Sequence, residues 1–235
     1  MRPRRSLRPF VVAAILIAAY AFPQQSSNPD SADKLKSVLD RLDRTAAQFR
    51  SAQANFVWDT YQKAADEHDK QQGKVYFRRK GIGMEMAAYV TSPAPAKTVL
   101  YEGGKVQLYQ AGSAQVDVYD ASKNNGAVES FLVLGFGGSG QDMLKSFDVT
   151  YGGSEKIDGA DTDKLDLVPK SDKVKGMFNR IELWVNSSGI SVQQKLLSPE
   201  GDYRFNHYTN IVLDKKIPDS FFKLKTSGNV QIENH

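Results

Sequence analysis

Ala54-Asn55-Phe56-Val57-Trp58-Asp59 and, a little further on, Gly73-Lys74-Val75-Tyr76-Phe77-Arg78-Arg79 are the stretches that decide the fold. Both alternate with a period of two, the pattern of a strand with one buried face. Ala54, Phe56 and Trp58 share one face of the first strand, and Val75, Phe77 and Arg79 share one face of the second. An arginine beside Val75 and Phe77 is either paired inside or stands at a rim. A register slip of one residue would turn Arg78 inward in place of Arg79. The polar stretch Ala65–Gly73 (ADEHDKQQG) between the two strands reads as a hairpin loop or a longer excursion.

Working outward, strands recur at the short spacing of an antiparallel meander: Met84–Val90, Thr98–Tyr101, Lys105–Gln110 and Gln115–Asp120. Met84 and Met86 share a face, with Glu85 opposite. Residues 127 to 147 break the pattern. Ala127–Leu134 and Gln141–Phe147 read as short helices on either side of a glycine-rich run, Gly135-Phe136-Gly137-Gly138-Ser139-Gly140. The meander then resumes with Asp148–Gly152, Lys164–Val168, Arg180–Val185, Val192–Leu197 and Arg204–Leu213, followed by a helical turn at Pro218–Phe222 and an extended piece at Val230–Glu233. Upstream, from Ser31 to about Gln53, the period is helical. Leu35, Val38, Leu39, Leu42, Ala46 and Phe49 form one apolar stripe, with Asp30 or Ser31 as the N-cap.

The expected class is mainly β (α+β). An open sheet of about ten or eleven strands must curl, giving a single curled antiparallel sheet that forms an unclosed β-barrel. The amphipathic helix and the two short helices are the natural lid over its apolar concave face. The residues expected to line the cavity are Phe49, Ala54, Phe56, Trp58, Val75, Phe77, Met84 and Met86, with Phe131, Leu132, Leu134, Phe136 and Met143 under the lid. Thioethers among large aromatics make an adaptable lining, because they repack around variable shapes.

Arg2, Arg4, Arg5 and Arg8, the apolar run Phe10–Ala19 and the small-x-small Ala19-Tyr20-Ala21 have the composition of an export signal. At roughly ten residues the apolar run is too short for a bilayer, which takes about 20. Domains are therefore expected as 1–21 signal, 22–30 flexible neck and 31–235 one carrier-like domain, placed in the periplasm. Of the 31 Lys and Arg, four leave with the signal, so the remaining 27 match the 27 Asp and Glu. That removes the persistent basic surface a nucleic-acid partner needs. The chain has no cysteine, which excludes disulfides, thiol chemistry and lipid anchoring at a new N-terminal Cys.

Several stretches match one family in order: Ala54-Asn55-Phe56 after the helix, Gly73–Arg79, Gly104-Lys105-Val106-Gln107-Leu108-Tyr109 with Gln115-Val116 beyond, then Phe221-Phe222-Lys223-Leu224 and Gly228-Asn229-Val230. On these the chain resembles the periplasmic outer-membrane lipoprotein carriers (LolA-like) over nearly all of the mature sequence. The resemblance implies an incomplete barrel with a helical lid, carrying acylated lipoproteins from an inner-membrane ATP-driven release complex to an outer-membrane lipoprotein receptor. The receptor shares the fold but is itself lipidated, so the absence of Cys favours the carrier branch. The family's arginine that bonds the lid, in a Lys/Arg-Arg-Pro context, corresponds to Arg79, which would donate to helix carbonyls near Phe131–Leu134. The family's proline is Lys80 here, its downstream aromatic run is Gly81-Ile82-Gly83-Met84-Glu85-Met86, and Trp58 stands where a Gln is usual. These departures leave the fold unaffected and bear on which acyl group is carried.

Other motifs weigh little. Gly135-x-Gly137-x-x-Gly140 spells a dinucleotide fingerprint but leads into a meander and not a parallel crossover. Asn186-Ser187-Ser188 spells a sequon and also a common turn. His68, His207 and His235 show no metal-ligand spacing. No nucleophile elbow occurs, and the expectation is a monomeric binding protein, not an enzyme, without cofactor or metal. The second reading keeps the cavity but makes the protein a periplasmic lipid-binding or lipoprotein-sensing module of a signalling system.

Overall fold

In a computed structural model, which describes residues 29–81, 83–120, 134–226 and 228–235, the chain opens with helix α1 (Pro29–Gln48). The signal segment, the neck up to residue 28, the helix expected from Ala127 and the lining residues Phe131 and Leu132 lie outside the described residues. Asp30 and Ser31 fall inside α1, so neither is its cap. Pro29 occupies the first turn, where a missing N–H costs nothing.

Twelve strands then form one sheet. They are β1 (Ser51–Gln62), β2 (Glu67–Lys80), β3 (Gly83–Ser92), β4 (Lys97–Glu102), β5 (Lys105–Gln110), β6 (Gln115–Asp120), β7 (Phe147–Ile157), β8 (Ala160–Pro169), β9 (Arg180–Asn186), β10 (Ser191–Leu197), β11 (Tyr203–Leu213) and β12 (Gln231–Asn234). Helix α2 (Gly140–Ser146) precedes β7, a one-turn α3 (Asp172–Lys175) precedes β9, and a 3₁₀ turn, Asp219–Phe222, precedes β12. The spatial order β12-β6-β5-β4-β3-β2-β1-β11-β10-β9-β8-β7 leaves β12 and β7 as edges, so the barrel is unclosed. Every described pairing is antiparallel except β12 with β6, which is parallel. After β11, in the middle of the sheet, the chain crosses the convex face to reach the β6 edge, where it arrives running in the direction of β6 and so pairs parallel.

Of the polar stretch Ala65–Gly73, Glu67–Gly73 is strand, and only Ala65 and Asp66 belong to the turn. β1 and β2 stay in register to Gln62↔Glu67, and the turn is tight, with Asp66 at φ 53°. The residues are polar because this end of the hairpin runs past the core, and Glu67–Lys70 are exposed.

Apolar side chains gather in three places. On the concave face, Ala54, Phe56, Val75, Phe77, Met84, Met86, Ala88 and Tyr101 form one cluster with Phe49, Phe136 and Tyr208. Over β7–β9, the stripe of α1 (Val38, Leu39, Leu42) closes on Leu165, Leu167, Ile181 and Leu183. On the convex face, Ile217 and Phe222 cover Ala87 and Leu100. The two helices therefore roof one half of the concave face and leave the β1–β6 half to a short loop.

Candidate functional site

That loop is Leu134–Ser139, and its centre is Phe136. The Phe136 ring is fully buried, stacked on Phe77 (centroids 4.6 Å) and edge-on to Tyr208 (5.0 Å). Leu134 and Met143, expected in the same lining, instead join the cluster beneath α1. A lid that descends from a helix must place some residues on the helix and others in the hollow.

The glycines of this run are explained by close approach and not by hinging. Gly137 has φ +83°, and a Cβ there would stand 2.6 Å from the Phe49 ring. A Cβ on Gly140 would meet the Leu39 carbonyl oxygen at 2.8 Å, so a larger residue would push α2 off α1.

Three sets of hydrogen bonds hold the loop. The Ser191 N–H donates to Gly135 O at 3.1 Å. The Gln194 side-chain amide donates to Leu134 O, and its own oxygen accepts from Asn206 Nδ2 at 3.2 Å. The Arg79 guanidinium donates to Gly137 O, to Ala46 O and to Phe49 O, each at 3.3 Å. Arg79 thus ties the end of α1 and the loop to β2. Its acceptors are Ala46, Phe49 and Gly137, whereas Leu134 O, in the region expected to receive it, is taken by Gln194.

Arg78 faces the other way. It bonds Glu85 (Nε–Oε2 2.8 Å) and Asp219, and lies over the Phe222 ring at 4.2 Å. Lys80 completes the network with Glu85 (2.7 Å) and Glu102 (2.6 Å). Burial pushes the Glu85 carboxyl up, but the hydrogen bonds from Lys80 and Arg78 outweigh it and hold the group below the ordinary carboxylate range.

Beside Phe136 an open cavity of about 370 Å³ remains. Trp58, Val75, Phe77, Met86, Val99, Val106, Leu196 and Tyr208 supply its apolar wall, and Thr60, Gln71, Gln194, Arg204 and Asn206 the polar one. Of the expected lining, Trp58, Val75, Phe77 and Met86 reach this space, while Phe49, Ala54, Phe56 and Met84 pack behind it. Burial pushes the Tyr208 hydroxyl up to about 12. The β10–β11 wall was not foreseen. In β11 the apolar residues Tyr203 and Phe205 alternate with Arg204 and Asn206, and hydrophobic patterning would turn Tyr203 and Phe205 inward. Cross-strand pairing puts Arg204 and Asn206 on the cavity face instead, opposite Thr60 and Trp58. A larger recess of about 560 Å³ lies on the convex face between β1–β3 and Phe221, but it is more open and walled by Asn55, Gln72, Lys74, Thr91 and Lys225 beside tyrosines. An apolar ligand is better matched by the concave space.

Asn186 caps its own turn, accepting from the Ser188 and Ile190 N–H groups, which accounts for the sequon-like spelling. Among the described residues no helix is long and apolar enough to cross a membrane.

The geometry defines a curled half-barrel with an apolar hollow under a pinned loop. No family model matches the sequence, and no curated protein does. Among solved structures, MucB aligns at TM-score 0.54 and 15% identity, over 87% of this chain and 67% of MucB. An uncharacterized conserved protein from Thermus thermophilus aligns at TM-score 0.54 and 10% identity, over 86% of this chain and 99% of that one. A LolA superfamily protein from Nitrosomonas europaea is matched more loosely, at TM-score 0.40 and 16% identity, over 80% of this chain and 97% of that one. The half-barrel expected from the resemblance is the fold observed.

Proposed function

We propose that this protein is a periplasmic carrier that shelters the acyl chains of lipoproteins between the inner and outer membranes, exported by residues 1–21 and acting as a monomer on residues 31–235. The observation that carries the reading is Phe136, an aromatic side chain of the loop between the β1–β6 half and α2, buried in the middle of an apolar hollow. Each buried CH₂ is worth about 0.8 kcal/mol against water, so an empty hollow of this kind would grip a long chain too tightly to release it. With Phe136 as occupant, cargo exchanges one apolar group for another, and net affinity falls to a reversible range. Arg79 is the latch: its three bonds are long, and the one to Gly137 O ties the loop to β2 while the other two hold the end of α1, so losing them loosens the loop, which Ser191 and Gln194 still hold at its start. Release to the carrier would come from an inner-membrane ATP-driven complex, and delivery would be to an outer-membrane lipoprotein receptor. No catalytic step and no cofactor are needed.

A second reading, a module that binds a protein partner in a signalling system, is favoured by one observation: the matched structures include the Pseudomonas aeruginosa MucA/MucB complex (TM-score 0.50, 14% identity). Native mass spectrometry of the protein purified gently from its own periplasm separates the two. A co-purifying acylated peptide or lipoprotein supports the carrier. A protein partner without lipid favours the module, and failure of added acylated peptide to bind removes the cavity from either account.

A further inference from the structure

The apolar lining of the concave face ends in charge at the β6–β12 edge. Followed outward through the cross-strand pairs, one row of that face reads Val75, Ala88, Val99, Leu108, Asp117 and Glu233. The neighbouring row reads Phe77, Met86, Tyr101, Val106 and Tyr119, with His235 stacked on Tyr119. Two carboxylates and an imidazole therefore stand together at the rim of the hollow. Spacing among the three histidines gives no hint of this. Asp117 lies 118 positions from His235 and reaches it only through the parallel pairing of β12 with β6.

Their arrangement is that of a donor set. Asp117 is only 5% exposed, and a carboxylate so placed needs partners. Gln115 Nε2 donates to its Oδ1 at 2.8 Å and Gln110 Nε2 to its Oδ2 at 3.2 Å, which fixes the carboxylate plane. His235 Nε2 lies 3.2 Å from the same Oδ1. The Tyr119 ring, stacked on the imidazole at 4.6 Å and 14°, holds its orientation. Two ligands of one tetrahedral zinc ion, with bonds of about 2.0–2.1 Å, stand about 3.3 Å apart. Donor atoms of Asp117, Glu233 and His235 all lie within 4.8 Å of one another, and the exposed Glu233 side chain can close the remaining distance by rotation.

A His–Asp hydrogen bond accounts for His235 and Asp117 but not for Glu233. The Glu233 carboxylate has no partner among the described residues and is directly opposite Asp117 in the parallel register. Like charges directly opposite each other on neighbouring strands are destabilising, and a divalent cation between them reverses the sign. β12 has the most to gain: its four residues are all exposed, and β6 is its one described strand partner.

We propose that Asp117, Glu233 and His235 bind one divalent transition-metal ion, zinc by the chemistry of the donors, and that the ion fastens β12 to the rim of the hollow. An imidazole beside two carboxylates favours zinc over magnesium or calcium, which take oxygen shells. Three protein ligands leave a fourth position to water. The site stands apart from the acyl cavity, so its test does not depend on the carrier reading.

Calorimetric titration of zinc chloride into the untagged full chain tests it. One ion per chain is expected, with a dissociation constant on the order of 1 µM. His235→Ala and Glu233→Gln should each weaken binding at least about tenfold. Glu233→Gln keeps the His235–Asp117 contact, so its zinc-free stability should not fall below that of the wild type. His68 and His207 face Asp59 and Asp158, and His68→Ala and His207→Ala should leave the constant unchanged. Hydrogen exchange gives a second readout. With zinc just sufficient to saturate the wild type, amides of residues 231–235 should exchange severalfold more slowly, and Glu233→Gln should lose most of that protection. No saturable binding below about 100 µM, or binding that survives in both site variants, overturns the site. Binding lost only in His68→Ala or His207→Ala would be an adventitious surface ion and overturns it equally. Unchanged exchange at β12 with zinc bound overturns the fastening role.

Discussion

Arg78 and Arg79 are adjacent on β2 and hold two different pieces of chain on opposite faces of one sheet. On the convex side, Arg78 grips carboxylates: buried Glu85 and exposed Asp219, with its plane over Phe222. On the concave side, Arg79 reaches only backbone carbonyls, at 3.3 Å. Charge-assisted bonds to carboxylates are short and strong, whereas a charged donor to a long carbonyl contact is weaker and exchangeable with water. The same residue type, one position apart, thus makes a permanent strap and a releasable one. What differs is the acceptor, and the acceptor is set by which face the strand alternation assigns.

The comparison breaks first at Arg78. Arg78→Ala leaves Glu85 buried with half its partners, and global stability should fall by about 4 kcal/mol, as for other severed buried pairs; chemical denaturation measures it. A loss near that of an ordinary surface salt bridge would make the two straps equivalent. Phe136→Ala comes next, with an expected loss of about 3 kcal/mol and tighter binding of a fluorescent acyl probe. Weaker binding would mean that Phe136 is part of the binding wall and not a place-holder.

The two faces should also differ in acid. Glu85 is held below its ordinary range when folded and titrates near ~4.3 when unfolded. Its contribution is therefore present above the unfolded value and lost as pH falls through the lower folded one. Glu85→Gln should flatten stability against pH in that window, as followed by denaturation at stepped pH. An unchanged acid limb would place its cause elsewhere. The smallest stability effect belongs to Arg79→Leu, about 1 kcal/mol, because its three bonds are long and two join elements anchored elsewhere. Its consequence is functional: retained fold, with acyl exchange or delivery disturbed. Wild-type exchange in that variant would remove Arg79 from the mechanism.

These contrasts also show what patterning can and cannot reveal. Strand alternation in Val75–Arg79 and the helical stripe of Leu35–Ala46 were legible because burial writes itself as periodicity. The turn at Asn186–Gly189 and strands β5 and β6 followed from turn residues alone. The parallel β12 was not legible, since no local period encodes which distant edge a C-terminal strand reaches. The Arg204–Asn206–Tyr208 wall was not legible, because alternation alone would turn the apolar Tyr203 and Phe205 toward the hollow, whereas cross-strand pairing turns the polar set there. The reason for the glycine run 135–140 was not legible either, because its neighbours in space, the Phe49 ring and the Leu39 backbone, require it.

The chain contains two tryptophans, Trp58 in the hollow and Trp184 on the opposite face, bonded to Glu155 at 2.5 Å. Titrating a fatty acid brominated along its chain into Trp184→Phe and Trp58→Phe variants tests the central claim, because bromine quenches indole only on contact. If acyl chains occupy the concave cavity, fluorescence falls saturably when Trp58 is the remaining indole and stays constant when Trp184 remains. Quenching of Trp184 alone, or of neither, would contradict it.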